Sequence, residues 1–106
     1  MMVESKIEFA IEMIPKCIKQ YKKLIKKDTV LQKLTEGFIQ ELKVNPYLGE
    51  ELRTNFDGWR SIHYHDNKYR IIYKIEQEPF PKIIILCIGH RKNAYSDLAK
   101  FLGMGF

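Results

Sequence analysis

The stretch of sequence that decides the fold is Tyr69-Arg70-Ile71-Ile72-Tyr73-Lys74-Ile75, followed by Ile83-Ile84-Ile85-Leu86-Cys87-Ile88-Gly89-His90-Arg91-Lys92-Asn93-Ala94-Tyr95. Both runs are rich in β-branched residues and flank a segment with two prolines, so they predict two adjacent strands. Each run also carries an arginine that a purely structural strand does not need. Arginine binds phosphate as a planar fork, and histidine and tyrosine can transfer protons. The group therefore predicts chemistry on a phosphodiester, and its candidate residues are Arg70, His90, Arg91 and Tyr95.

The chain has 106 residues and two distant cysteines, Cys17 and Cys87, whose spacing fits no common metal site. This length predicts a single domain, residues 1–106, with a core that needs no disulfide, metal or cofactor. The N-terminus lacks the apolar core of a signal peptide, and no segment approaches the ~20 apolar residues of a membrane span. We therefore expect a reduced, soluble protein of the cytoplasm that does not contact a membrane.

Six lysines and no acidic residue lie between positions 16 and 27, in a chain whose net charge is +5. On a helix these lysines fill one arc, and apolar residues fill the opposite arc. A solvated face explains the spacing of the lysines, but it does not explain the missing acids, which would add stabilising pairs. Contact with nucleic acid or with an acidic protein is the alternative interpretation, and Lys19, Lys23 and Lys26 are its candidate RNA contacts.

The hydrophobic pattern predicts an α+β domain in the order β-α-α-β-β-β-α, with a helical hairpin packed on an antiparallel sheet. Pro15 suits the first turn of one helix, and Thr29-Val30-Leu31-Gln32 resembles a capping box that starts the next. A loop over Pro46–Gly58 is expected to be anchored by Leu48, Leu52 and Phe56. The predicted strands are Lys6–Met13, Trp59–His65, Tyr69–Glu76 and Lys82–Gly89, with a tight turn at Asp66-Asn67. The predicted helices run from Pro15 to about Lys27, from Thr29 to Val44, and from Asn93 or Ser96 to Leu102.

Three strings in this order resemble the RelE/ParE superfamily of bacterial type II toxins. They are Trp59-Arg60-Ser61-Ile62-His63, Tyr69-Arg70-Ile71-Ile72-Tyr73 and Ile88-Gly89-His90-Arg91-Lys92-Asn93-Ala94-Tyr95. The resemblance implies a RelE-like fold and a small basic toxin that is neutralised by a cognate antitoxin. In the RelE branch it implies an endoribonuclease that cuts mRNA on the ribosome without a metal. In the ParE branch it implies a poison of DNA gyrase. A degenerate member would bind only its antitoxin, or operator DNA through the antitoxin complex.

The resemblance also implies roles for individual residues. Arg70 matches a strand arginine of the RelE branch, Arg91 matches an arginine at the end of the last strand, and Tyr95 matches a tyrosine that aligns RNA and takes part in proton transfer. A salt bridge for Arg70 and simple packing for Tyr95 are the alternatives. The RelE branch has a strong run of lysine and arginine before and within the second strand. This chain offers only Arg53, Arg60 and His63 there, as candidate RNA contacts.

The histidines are acid–base candidates because their ordinary pKa lies near neutrality. Strand alternation places His90 and Arg91 on opposite faces, so both reach one site only if the strand ends or bends at Gly89. His63 and His65 are predicted to share a strand face, as two solvated histidines. With Cys87 they would form a loose zinc site, which is the less favoured interpretation. We further expect an antitoxin segment to lie across the basic helix and the sheet groove.

Overall fold

A computed structural model of the protein describes residues 8–52, 58–94 and 96. Two helices pack on one face of a five-stranded sheet whose strand order is β1-β5-β4-β3-β2. The predicted α+β architecture with a helical hairpin is confirmed. Within the described ranges, no helix has both the length and the apolar character that a membrane crossing requires. The elements are β1 Ala10–Met13, α1 Pro15–Ile25, α2 Thr29–Val44, β2 Glu50–Glu51, β3 Trp59–Tyr64, β4 Tyr69–Glu76 and β5 Lys82–His90.

The sheet is mixed, because β1 pairs with β5 in parallel whereas every other neighbouring pair is antiparallel. The prediction of a purely antiparallel sheet therefore needs this one correction. The loop predicted over Pro46–Gly58 contains the short strand β2, which pairs with β3. Its anchors Leu48 and Leu52 pack against the core, as predicted, and Phe56 lies outside the described residues. Most of the predicted last helix also lies outside them.

Helix α1 begins with Pro15 at its first position, as predicted, because proline lacks the N–H that this position leaves without a partner. The N-terminus of α2 differs from the prediction. The side chain of Asp28 caps this helix by accepting a hydrogen bond of 2.9 Å from the Leu31 amide. Thr29 is already the first helical residue, so the capping box predicted at Thr29 is wrong. An aspartate one residue earlier satisfies the free amide instead.

The face of the sheet that carries the helices is called here the helix face, and it buries the main core. Alternating residues of β3, β4 and β5 point into this core, where they meet Cys17 of α1 and Leu31 and Leu42 of α2. Within it, the Thr35 hydroxyl donates to the Leu31 carbonyl at 2.8 Å and shares a 2.7 Å hydrogen bond with the Tyr64 hydroxyl. Because the hydroxyl of Thr35 has one proton, Tyr64 is the donor of the second bond.

The opposite face, called here the second face, carries a smaller buried cluster. Ile72 of β4 and Cys87 of β5 form its centre together with Leu86 and Ala94. Leu52 and Trp59 pack against them from the edge of the sheet. The two faces therefore have separate cores, and the residues of β3 and β4 alternate between them.

A β-bulge in β5 changes which residues reach each face. Ile72 pairs with Cys87, but the next residue, Tyr73, pairs with Ile85, so Leu86 is an extra residue in β5. An extra residue shifts the alternation of side chains by one position. Ile88 consequently points to the helix face, like Ile85 before the bulge. The bulge thus decides the orientation of every residue at the C-terminal end of β5.

Candidate functional site

The candidate site lies at the end of the sheet where β3 ends, β4 begins and β5 ends. In this region Arg70 of β4 pairs with His63 of β3 on one side and with Gly89 of β5 on the other. Directly opposed residues of neighbouring strands place their side chains on the same face, with Cβ atoms about 5 Å apart. By alternation with Ile72, this is the second face. The fold therefore puts a guanidinium beside an imidazole, next to a glycine that has no side chain.

Arg70 lies on the central strand of the sheet and is half-buried, and its Nε atom is shielded from solvent. His63 is exposed. A guanidinium whose stem is held by the sheet loses little conformational freedom when it binds an anion. The pair therefore combines a fixed cationic fork with an accessible imidazole, a group that can accept or donate a proton.

Arg91 is exposed and follows the last residue of β5. Its backbone amide donates a 2.7 Å hydrogen bond to the carbonyl of Lys68, in the turn between β3 and β4. This bond holds Arg91 at the same end of the sheet as Arg70 and His63. Two further candidates, Tyr95 and Arg53, lie outside the described residues, so their predicted roles stay predictions.

His90 points to the helix face, away from Arg70. It pairs with Tyr69 across the strands, and the centres of the two rings are 5.4 Å apart in an edge-to-face arrangement. Its Nδ1 atom accepts a 3.1 Å hydrogen bond from the Lys92 amide. The bulge at Leu86 is the cause, because uninterrupted alternation from Ile85 would have turned His90 toward the face of Arg70. The fold thus separates His90 from the arginine with which it was grouped.

His65 does not share a strand face with His63, and that prediction is wrong. Strand β3 ends at Tyr64, and His65 begins a four-residue turn with a left-handed backbone, φ +55°. Its ring stacks on Tyr69, with the ring centres 5.8 Å apart. Across the described ranges, no three His, Cys, Asp or Glu side chains come together in a way that could hold a metal ion.

Arg60 lies on the helix face, since it pairs with Tyr73 of the main core. Its Nε donates a 2.8 Å hydrogen bond to the carbonyl of Gly49, and its guanidinium lies 5.3 Å from the centre of the Tyr47 ring. A 3.7 Å ion pair with Glu51 completes these contacts. The side chain of Arg60 therefore holds the segment before β3, and the sheet separates it from Arg70.

Lys19, Lys23 and Lys26 are exposed on α1 and in the turn that follows it. The buried side of α1 carries Cys17 and packs on the helix face, so the lysines point away from the sheet. They form a positive surface that is separate from the site around Arg70. The sequence predicted both groups, but it did not show that the sheet lies between them.

Comparison with known proteins identifies the family. The model of the ParE toxin of the type II toxin–antitoxin system parDE matches residues 11–95. A search of curated proteins gave no match. Among solved structures, the chain resembles a mutant of the E. coli toxin RelE in the free state. The identity is 20%, the TM-score is 0.67, and the match covers 88% of this chain and 96% of the other.

Two other RelE structures have the same fold. The isolated E. coli RelE toxin matches with 20% identity and a TM-score of 0.62, over 89% of this chain and 98% of its own. The RelE mutant in complex with a peptide of the antitoxin RelBc matches with 16% identity and a TM-score of 0.60, over 85% and 93%. These likenesses concern the fold, whereas the family model covers most of the sequence. The chain belongs to the ParE toxin family, within the RelE/ParE superfamily, and is a toxin of a type II toxin–antitoxin system.

Proposed function

We propose that this toxin is a ribosome-dependent mRNA endoribonuclease that works without a metal. One observation carries the proposal. Arg70 and His63 are direct neighbours on the second face, and Arg91 is held at the same end of the sheet. Cleavage of RNA without a metal needs a base, cations for the charge that develops on the phosphorane, and an acid for the leaving oxygen.

In the proposed cleavage of RNA, each residue of this site has a separate role. A base removes the proton of the 2′-hydroxyl, and the 2′-oxygen attacks the adjacent phosphorus. The bond to the 5′-oxygen then breaks, an acid protonates this oxygen, and a 2′,3′-cyclic phosphate remains. Arg70 and Arg91 stabilise the charge on the phosphoryl oxygens, and His63 transfers a proton. Tyr95 is proposed to position the RNA and to take part in proton transfer.

A cognate antitoxin is the proposed protein partner. The support is the RelE mutant that was solved with a peptide of the antitoxin RelBc, in a chain of the same fold. The lysine surface of α1 is its proposed contact, because Lys19, Lys23 and Lys26 are exposed in a stretch without acidic residues. Changing these three lysines to glutamate should weaken antitoxin binding, most strongly at low salt. An unchanged affinity would refute this contact.

Inhibition of DNA gyrase is the second candidate function, and the match to the ParE toxin model favours it. A gyrase inhibitor does not need Arg70 and His63 in one catalytic arrangement. Under this alternative, the positive surfaces would serve to bind the partner. Operator DNA, bound through the antitoxin complex, remains a further proposed partner of either kind of toxin.

Induced expression followed by mapping of mRNA 5′ ends separates the two functions. A ribonuclease produces new 5′ ends within translated messages, whereas a gyrase inhibitor leaves messages intact and causes DNA damage. Arg70→Gln should abolish cleavage while the protein remains folded. Lys74→Gln is the matched control, because Lys74 lies on the same strand and face but pairs with Glu76 at 2.9 Å. Intact transcripts together with DNA damage would overturn the nuclease proposal.

A further inference from the structure

Three partly exposed rings cluster on the helix face at the end of the sheet, and the proposed reaction uses none of them. Tyr69 is the central ring. His65 stacks on it with an angle of 29° between the ring planes, and His90 meets it edge to face at 75°. We call these three residues the ring cluster. His65 is partly exposed and lies at the outer end of the cluster, in the turn that follows β3.

The backbone holds the ring cluster in a fixed position. His65, Asp66 and Asn67 all have a left-handed backbone, with φ of 55°, 58° and 61°. Histidine, aspartate and asparagine are the non-glycine residues that adopt this conformation most readily, so the sequence matches the backbone of this turn. On the other side, the 3.1 Å hydrogen bond from the Lys92 amide fixes the ring of His90. The turn and this hydrogen bond together give the cluster a defined geometry.

Three cationic residues adjoin the ring cluster along the chain. They are Lys68, Arg91 and Lys92, and all three are exposed. The hydrogen bond between the Arg91 amide and the Lys68 carbonyl brings the two chain segments together. Asp66 is the one acidic residue in positions 65–69 and 90–92. Aromatic platforms next to cations are the arrangement that binds single-stranded nucleic acid, because bases stack on the rings while cations contact the backbone.

We propose that the ring cluster is a stacking site for one base of single-stranded RNA. The base would stack on the His65 ring from the side opposite Tyr69, and its phosphates would lie near Lys68 and Lys92. The inference rests on the proposed RNA substrate and extends it. Tyr69 and Arg70 are consecutive residues on opposite faces of β4, so an RNA strand that passes around this end of the sheet contacts both. The cluster would then hold a nucleotide next to the one that is cleaved.

The test uses a short 2′-O-methyl RNA, which lacks the nucleophilic hydroxyl and therefore cannot be cleaved through it. His65→Asn removes the ring but keeps a residue type that tolerates the left-handed backbone. We expect fluorescence anisotropy to show that this variant binds the oligonucleotide about fivefold or more weakly. NMR of the wild-type chain should show ring-current shifts at the His65 imidazole when the oligonucleotide is added.

Phe80→Ala is the matched control, because Phe80 is an exposed ring beside a cation, Lys82, at the distant end of β5. This change should leave binding unaltered. The inference is overturned if His65→Asn binds like the wild type, or if an abasic oligonucleotide of equal length binds equally well. Either result would mean that the positive charge of the protein attracts the RNA backbone and that no base stacks on the ring. Because the probe is not cleaved, the measured affinities do not depend on whether the protein is a nuclease. If His65→Asn still cleaves mRNA and binds the oligonucleotide like the wild type, the stacking site is refuted and the nuclease proposal stands.

Discussion

At the scale of single residues, the hydroxyl of Tyr73 holds the segment before β2. This side chain is fully buried, donates a 2.7 Å hydrogen bond to the Pro46 carbonyl and accepts one of 2.9 Å from the Gly49 amide. Removing the hydroxyl leaves both buried backbone groups without this partner. The desolvation of such groups, rather than the average value of a hydrogen bond, then sets the cost.

Tyr73→Phe should therefore lower the free energy of unfolding by about 1–3 kcal/mol. Denaturant unfolding monitored by circular dichroism measures this change. Tyr47→Phe is the control, because Tyr47 is 59% exposed and keeps its ring contact with Arg60. If both variants have the stability of the wild type, the hydroxyl of Tyr73 does not hold this segment.

The two glycines at positions 37 and 49 should respond to alanine in opposite directions. A Cβ at Gly49 would lie 2.8 Å from the Ser61 carbonyl oxygen and 3.0 Å from the Tyr73 ring, so Gly49→Ala should destabilise by about 1–3 kcal/mol. A Cβ at Gly37 meets nothing within 4 Å in the described structure, and Gly37 lies inside α2. Gly37→Ala should stabilise by about 0.5–1 kcal/mol. If the melting temperatures of Gly49→Ala and Gly37→Ala move in the same direction, these two predictions are contradicted.

At the scale of elements, the start of α2 depends on Asp28. Its carboxylate accepts from the Leu31 amide, one of the four amides that a helix N-terminus leaves without a partner. Asp28→Ala should cost about 1 kcal/mol in unfolding experiments, whereas Gln40→Ala, at an exposed position of the same helix, should cost almost nothing. Equal stability of the two variants would show that another group caps α2.

At the scale of the whole molecule, buried acidic groups make the fold sensitive to alkali. Burial raises the pKa of Cys17 from 9.0 to about 12, and it raises the pKa values of Tyr64 and Tyr73 above their ordinary 10.0. The folded state thus keeps protons that the unfolded chain releases. Stability is complete below about pH 9 and falls as the pH rises toward 12, by up to about 1.4 kcal/mol per pH unit for each titrating group.

Denaturant unfolding at pH 7, 9, 10 and 11 should show this decline. In Cys17→Ala the decline should be shallower, by up to about 1.4 kcal/mol per pH unit, because one buried acidic group fewer titrates. A stability that stays constant to pH 11 would contradict the burial of these groups. An unchanged slope in Cys17→Ala would show that this thiol does not contribute to the decline.

The sequence predicted well whatever depends on local pattern. Tyr69–Glu76 has the predicted strand boundaries, and the two helices form where their apolar stripes predicted them. Short strands and helix caps were harder to predict from the sequence. Strand β2 has two residues and no apolar alternation, so its pairing with β3 depends on contacts of Gly49 and Tyr73 that are distant in sequence. The cap at Asp28 and the capping box at Thr29 differ by one residue, which pattern alone does not resolve.

By itself, the sequence determined the α+β class and the pairing of an arginine-bearing central strand with the last strand, because hydrophobic period and turn residues are local properties. The toxin superfamily followed from the resemblance of three motif strings to known family members. Only the tertiary structure decided which candidate residues lie together. The extra residue Leu86 reverses the alternation of β5, so Gly89 lies beside Arg70 while His90 turns to Tyr69 on the opposite face. A bulge arises from the register between two strands, and no run of residues in one strand encodes it alone.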